Sequence, residues 1–232
     1  MTKKRLLKLL TLVCAVSLLT GCWEDPPMDA MDLPIVEAEE EEETVSLPTA
    51  FSLPYAPDQT LDPVTCPDGI QLVVSSLLYE GLFRLDRQLE PQPWLCQSYS
   101  YDPATFTYTF TLRAGVTFSD GSALTAADVA ATLRRAQTSQ RYSARLAQVA
   151  SVSAGDGVVT VTLASANTGF PALLDIPIVK SGTETSLTPV GTGPYVLATD
   201  EGGTCLTARS GWWADSSRPV DRIALSAARD WD

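Results

Sequence analysis

The sequence predicts a mixed α/β fold, and three observations carry that prediction. Apolar residues recur at helical spacing at Ile70, Val73, Val74, Leu77 and Leu78. From Phe106 to Leu112 the chain alternates Phe, Thr, Tyr, Thr, Phe, Thr, Leu, a period-two pattern of aromatic and β-branched residues that reads as a strand. Thr125 stands three residues before Asp128 at the head of an alanine-rich run, the pattern of a capping box opening a helix.

The elements follow in order. Leu61-Asp62-Pro63, after a Pro- and Asp-rich approach, reads as loop. The first helix is expected over residues 69–79, with Pro67 and Asp68 at its start and Gly81 as its left-handed C-terminal cap. Asp120-Gly121 marks a turn, and the second helix runs through 126–136. Residues 149–152 and 158–163 form a hairpin across Gly155-Asp156-Gly157. Phe170 to Leu174 reads as a short helix. Strands 195–199 and 204–209 are joined by Gly202-Gly203. No internal repeat is present.

Composition limits the chemistry. The chain has 232 residues, 45% hydrophobic and 19% charged, with a formal net charge of −12, pI near 4.4 and no histidine. It is too apolar to be wholly disordered. Without histidine, neither a Ser-His-Asp nor a Cys-His catalytic set can be built, nor a His-based metal site. The acidity argues against binding nucleic acid, which needs Lys and Arg against phosphates.

Residues 1–21 read as an export signal. Lys3, Lys4, Arg5 and Lys8 precede an apolar stretch from Leu9 to Leu19. That stretch is short of the ~20 residues a spanning helix needs. It ends at Leu19-Thr20-Gly21-Cys22, which resembles the bacterial lipobox, so Cys22 is the expected lipidation site. Two or three acyl chains there would anchor the protein stably to membrane lipid. Cleavage before Cys22 removes four positive charges and takes the formal net charge to −16. Residues 23–46 carry ten acids and no Lys or Arg. With Pro26, Pro27 and Pro34 alongside, segment 22–46 is an extended, self-repelling linker. A calcium loop would need a ligand spacing and a turn glycine that this segment lacks. The body, 47–232, holds 18 acids against 12 bases. Its cysteines, Cys66, Cys96 and Cys205, allow one disulfide at most, with the pairing open. Cys96, in Trp94-Leu95-Cys96, reads as a small core residue. No CxxC spacing suggests a metal or redox site.

Several short runs then carry a resemblance. They are Leu78-Tyr79-Glu80-Gly81-Leu82-Phe83, Pro93-Trp94-Leu95, Tyr108 to Arg113, Gly115-Val116, Phe118-Ser119-Asp120-Gly121, Leu124 to Val129, Gly191-Thr192-Gly193-Pro194-Tyr195, Trp212-Trp213 and Pro219 to Ile223. In this order, behind a lipobox, the set resembles the peptide/nickel class of solute-binding lipoproteins of ABC transporters, extracellular solute-binding family 5. The resemblance implies a two-lobed fold of the periplasmic-binding-protein type II kind, hinged around a cleft that closes on its ligand. It implies no catalysis and no cofactor. The implied partners are an oligopeptide or similar small solute, the ABC permease subunits and membrane lipid through Cys22, on the outer face of the cell membrane or the periplasmic side of a membrane. A nickel chelate or haem stays open as ligand. Family members with two complete lobes are longer, so 47–232 is expected to be the first lobe with its accessory subdomain, and the second lobe is expected beyond Asp232.

Candidate ligand residues are Asp62, Tyr79, Glu80, Trp212 and Trp213. Asp62 lies on a loop resembling cleft-edge segments and could meet an ammonium group. Glu80 could face the cleft or an inter-lobe contact. Trp212 and Trp213 could be ligand platforms; if both lie on a strand they face opposite ways and only one reaches a cleft. Gly191, Gly193 and Pro194 read as a tight turn demanding unusual backbone angles. They do not read as a phosphate cradle, which needs a following helix and usually a lysine. Asp120 and Asp128 are explained as turn and cap. The competing function is a secreted lipoprotein hydrolase using Lys180-Ser181 or two carboxylates, although neither SxxK nor GxSxG occurs. A truncated, non-transporting copy is the other alternative.

Overall fold

The computed structural model describes residues 51–214 and 220–228. The signal, the acidic linker and Cys22 lie outside the described residues. The elements are β1 (Phe51–Tyr55), α1 (Ile70–Leu78), β2 (Phe83–Leu85), β3 (Pro91–Pro93), β4 (Cys96–Asp102), β5 (Thr107–Leu112), α2 (Ala126–Gln137), β6 (Val149–Ala154), β7 (Val158–Leu163), a 3₁₀ turn (Phe170–Leu173), β8 (Tyr195–Asp200), β9 (Gly203–Ala208) and β10 (Arg222–Ala227).

Two four-stranded sheets organise the molecule. One has the antiparallel order β4-β5-β7-β6. The β5 alternation buries Tyr108, Phe110 and Leu112, and α2 lays Val129, Ala130, Leu133 and Ala136 into the same core. The capping box forms as expected: Thr125 Oγ1 accepts from Asp128 N–H at 3.3 Å, and Asp128 Oδ2 accepts from Thr125 N–H at 3.0 Å. β5 begins one residue later than the pattern suggests, because Phe106 sits in the left-handed region (φ 54°) and closes the turn before it.

The second sheet has the order β1-β10-β9-β8. β1 pairs in parallel with β10, Phe51 opposite Ile223 and Tyr55 opposite Ala227, although some 170 residues of chain separate them. α1 covers this sheet with Val74 and Leu78, which join Leu206, Ile223 and Leu225 in a second core. The β8–β9 turn uses Gly203 at φ 96° and the β6–β7 turn uses Gly157 at φ 66°, which is why glycine stands at each.

Two expectations are corrected here. α1 ends at Leu78, and its cap is Tyr79 in an extended conformation (φ −130°, ψ 152°). Gly81 is therefore no left-handed cap. It is needed because a Cβ would lie 2.7 Å from the Asp175 carbonyl carbon, where residues 81 and 177 form a β-bridge. The expected strand over 204–209 stops at Ala208, and Trp212 and Trp213 lie in the turn after Gly211, not on a strand. Cys66, Cys96 and Cys205 are all buried free thiols. No helix among the described residues is long and apolar enough to cross a membrane.

Candidate functional site: a glutamate and three tryptophans between two cores

Glu80 and Gly81 sit where the chain passes from Tyr79 in the second core to Leu82 in the first. The crossing is fixed by Ile178 N–H donating to Glu80 O at 2.8 Å. This places the Glu80 carboxylate, only 2% exposed, inside the protein. A buried carboxylate must be fully hydrogen-bonded, and here three donors serve it. Oε1 accepts from Trp94 Nε1 at 2.7 Å and from the Arg84 guanidinium at 3.1 Å; Oε2 accepts from Trp213 Nε1 at 2.8 Å.

The indoles pack on one another, with Trp94 and Trp213 centroids 5.0 Å apart and Trp212 and Trp213 5.9 Å apart. Cations cover the cluster. The Arg84 guanidinium stands 3.3 Å from the Trp94 ring centre, and that of Arg113 stands 5.5 Å from the Trp213 ring. Burial lowers the pKa of Arg84, and the Glu80 charge works against that shift. The two tryptophans do not oppose each other across a strand: Trp213 meets Glu80, while buried Trp212 donates Nε1–H to Thr192 O at 3.1 Å.

That Thr192 carbonyl belongs to the Gly191–Pro194 segment, which bends at Gly193-Pro194 without the unusual backbone angles expected of it. Neither Gly191 nor Gly193 is left-handed. Both press against the end of α1: a Cβ on Gly191 would lie 2.2 Å from Leu78 O, and one on Gly193 would lie 2.5 Å from the Leu78 carbonyl carbon. Gly193 N–H donates to Leu78 O at 2.9 Å. Arg209, almost fully buried, clamps the turn to the loop after β5 by donating to the Thr192, Thr117 and Phe118 carbonyls and to Thr117 Oγ1. Tyr79 supports the turn from below, its hydroxyl donating to Pro189 O at 2.7 Å, and burial pushes the phenol well above its usual pKa.

Tyr79, Glu80, Trp212, Trp213, Gly191, Gly193 and Pro194 thus converge on one seam. Asp62 does not join them as a free carboxylate. It is buried, bound through both oxygens by Arg135, and also accepts from Val64 N–H and Thr65 Oγ1–H. An ammonium ligand would have to displace that arginine, so the expectation for Asp62 is corrected to a structural ion pair. Trp94, Arg84 and Arg209 were not singled out from the sequence. Trp94 lay within a quoted motif, but nothing local signals that two arginines stack on or lock this seam.

Lys180 pairs with Asp120, whose carboxyl also accepts from Ser122 and is held down at about 2, the Lys180 hydrogen bond contributing most. An ammonium held in an ion pair is the opposite of the neutral amine that a Ser-Lys dyad needs. Ser181 N–H, beside it, is occupied with Asp128 Oδ1. Among the described residues, no group of three or more His, Cys, Asp or Glu side chains is placed to hold a metal. The larger cavities flank the seam or lie apart from it. One of about 430 Å³ runs past Thr117, Ser119, Val196 and Arg209. One of about 670 Å³ opens between residues 64–68 and 139–141.

Known proteins resemble this chain in sequence and in fold. The glutathione-binding protein GsiB of Salmonella paratyphi A is 32% identical, over 74% of this chain and 36% of its own length. The chain therefore spans little more than a third of that relative. Among solved structures, a nickel ABC transporter protein from Bacillus halodurans superposes with TM-score 0.62 at 25% identity, covering 78% of this chain and 38% of that one. The oligopeptide-binding protein AppA from Bacillus subtilis, in complex with a nonapeptide, gives TM-score 0.63 at 21% identity, covering 77% and 40%. The mixed α/β architecture is that of part of these binding proteins. The model of the bacterial extracellular solute-binding proteins, family 5 Middle, matches residues 90–232, and the chain belongs to that family.

Proposed function

We propose that this chain is the solute-capturing component of an ABC importer, exported and held at the outer face of the bacterial membrane through a lipidated Cys22. It takes oligopeptides or similar small solutes and passes them to permease subunits. Family membership is the observation that carries the reading. The relatives' named ligands (glutathione for GsiB, a nonapeptide for AppA) are peptide-like, and this supports a peptide-class solute. On this reading residues 1–21 are the export signal, 22–46 the tether and 47–232 the N-terminal portion of the binding body. The body requires no acid-base chemistry, so the absence of histidine is no handicap.

Calorimetric titration of the full chain with a peptide panel, with product analysis of the same mixtures, tests the reading. Every peptide should be recovered intact, and residues 22–232, which supply only the first lobe of the expected cleft, should bind weakly or not at all; peptide cleavage would overturn the solute-binding reading, and micromolar or tighter binding would overturn the need for a second lobe. The anchor is tested by metabolic labelling with a fatty acid. Label is expected on the wild-type chain and absent from Cys22→Ala, and equal labelling of the two would refute the anchor.

A further inference from the structure

The Glu80 recess has an occupant of its own. Glu80 is 2% exposed, yet the Arg84 side chain that neutralises it is 48% exposed. The other two donors, the indoles of Trp94 and Trp213, are neutral and half-buried. Among the described residues Arg84 is thus the one cation in direct contact with this buried charge. It lies flat enough on Trp94 to bring its guanidinium carbon 3.3 Å from the ring centre, and it donates to Glu80 at the same time. A carboxylate, an aromatic face and a second indole inclined at 60° to the first form a receptor for a planar cation. Arg84 is held there by its stack on Trp94 and its ion pair with Glu80, which among the described residues is the one polar side chain it contacts.

We propose that the Glu80–Trp94–Trp213 recess is a guanidinium-recognition site, and that Arg84 is its built-in occupant, which gives way to the guanidinium of an arginine-bearing solute. The proposal deepens the solute-binding reading and rests on it. If Arg84 swings out, Glu80 is left buried with only neutral donors, a state costly enough that a replacement cation is strongly favoured. The recess then has the size of the group that left it, which selects an arginine side chain over larger cations. The tethered Arg84 competes at an effective concentration of roughly millimolar or above, so a free ligand's apparent affinity is lowered by the fraction of molecules in which the recess is open. The acidic body, 18 acids against 12 bases, favours approach of such a solute.

The test uses the full chain, argininamide as probe, and sodium chloride and lysinamide at matched ionic strength as controls. Tryptophan emission and thermal midpoint are both followed. Arg84→Ala is expected to bind argininamide at least tenfold more tightly than wild type, with lysinamide clearly weaker. Adding Glu80→Gln is expected to erase the gain. Arg84→Met keeps the apolar stem over Trp94 and serves if the alanine variant loses its circular-dichroism signature; the same tenfold gain is expected. The absence of a saturable argininamide response in a folded Arg84 variant would overturn the proposal. So would a gain that survives Glu80→Gln, or one that sodium chloride or lysinamide reproduces. Acetylated peptides without basic side chains keep the two readings apart: their binding to wild type sustains the solute-binding role even where argininamide fails.

Discussion

Replacing Gly193 by alanine tests the claim that the Gly191–Pro194 turn needs glycine for close approach and not for a special backbone angle. A Cβ there would lie 2.5 Å from the Leu78 carbonyl carbon and 2.6 Å from both Leu77 O and Leu78 O. Ordinary carbon contacts lie at ~3.5–4.0 Å, so the end of α1 must move away by about 1 Å. All three obstacles are backbone, and no side chain can rotate aside. The shift sacrifices the 2.9 Å hydrogen bond from Gly193 N–H to Leu78 O, about 1 kcal/mol, on top of an overpacking cost of about 1–3 kcal/mol. Gly193→Ala should therefore cost about 3 kcal/mol, a fall of about 6–12 °C in thermal midpoint for a domain of this size. Gly121 is the internal comparison, since it is left-handed (φ 85°) with nothing within 4 Å of its Cβ position. Gly121→Ala should cost only about 1–2 kcal/mol, from conformational strain alone. Urea unfolding of both variants measures the difference. If Gly193→Ala is no more destabilising than Gly121→Ala, close approach is not why that glycine is there.

Other outcomes follow from the same geometry. Glu80→Ala leaves the Trp94 and Trp213 indole N–H groups without their acceptor, so a loss of about 2–4 kcal/mol in urea unfolding and red-shifted tryptophan emission are expected; unchanged emission would mean that the indoles do not depend on Glu80. Asp120, held at about 2 in the folded chain against 3.8 unfolded, owes that first to Lys180. Because the folded value is the lower one, its stabilisation is complete above about pH 4 and disappears as pH falls through about 2. The melting difference between wild type and Asp120→Asn should therefore be flat near neutrality and close between those limits, and a gap that persists to the acid end would refute the assignment. Burial lifts the Cys96 thiol to about 11. Peptide mapping after iodoacetamide treatment at pH 8 should find Cys96 unmodified in the native chain and modified in urea, and rapid native alkylation would place the thiol at the surface.

Much of the local structure was legible in the residues themselves. The Thr125–Asp128 box, the alternation from Thr107 to Leu112 and the turn at Gly157 involve partners a few positions apart, so sequence and structure speak of the same contacts. The site was only half legible. Tyr79, Glu80, Trp212 and Trp213 could be singled out, but not that Glu80 and Trp213, 133 residues apart, share a hydrogen bond. Asp62 looked available because its partner, Arg135, is 73 residues away. The glycines misled in a consistent manner. Gly81, Gly191 and Gly193 suggested special backbone angles, the commoner local reason for glycine, whereas the reason in each case is a distant backbone segment lying too close for a Cβ.

The sequence by itself determined the helices, five of the ten described strands, the β6–β7 and β8–β9 turns and, through ordered motifs, the family. These rest on periodicity and short-range hydrogen bonding, which are properties of a stretch of chain. Only the tertiary structure decided the parallel pairing of β1 with β10, the closure of Arg209 over the Gly191–Pro194 turn, and the enclosure of a glutamate by two indoles and an arginine. Each depends on which distant surfaces are pressed together, and a buried charge or a missing Cβ acquires its meaning from the atoms that packing brings against it.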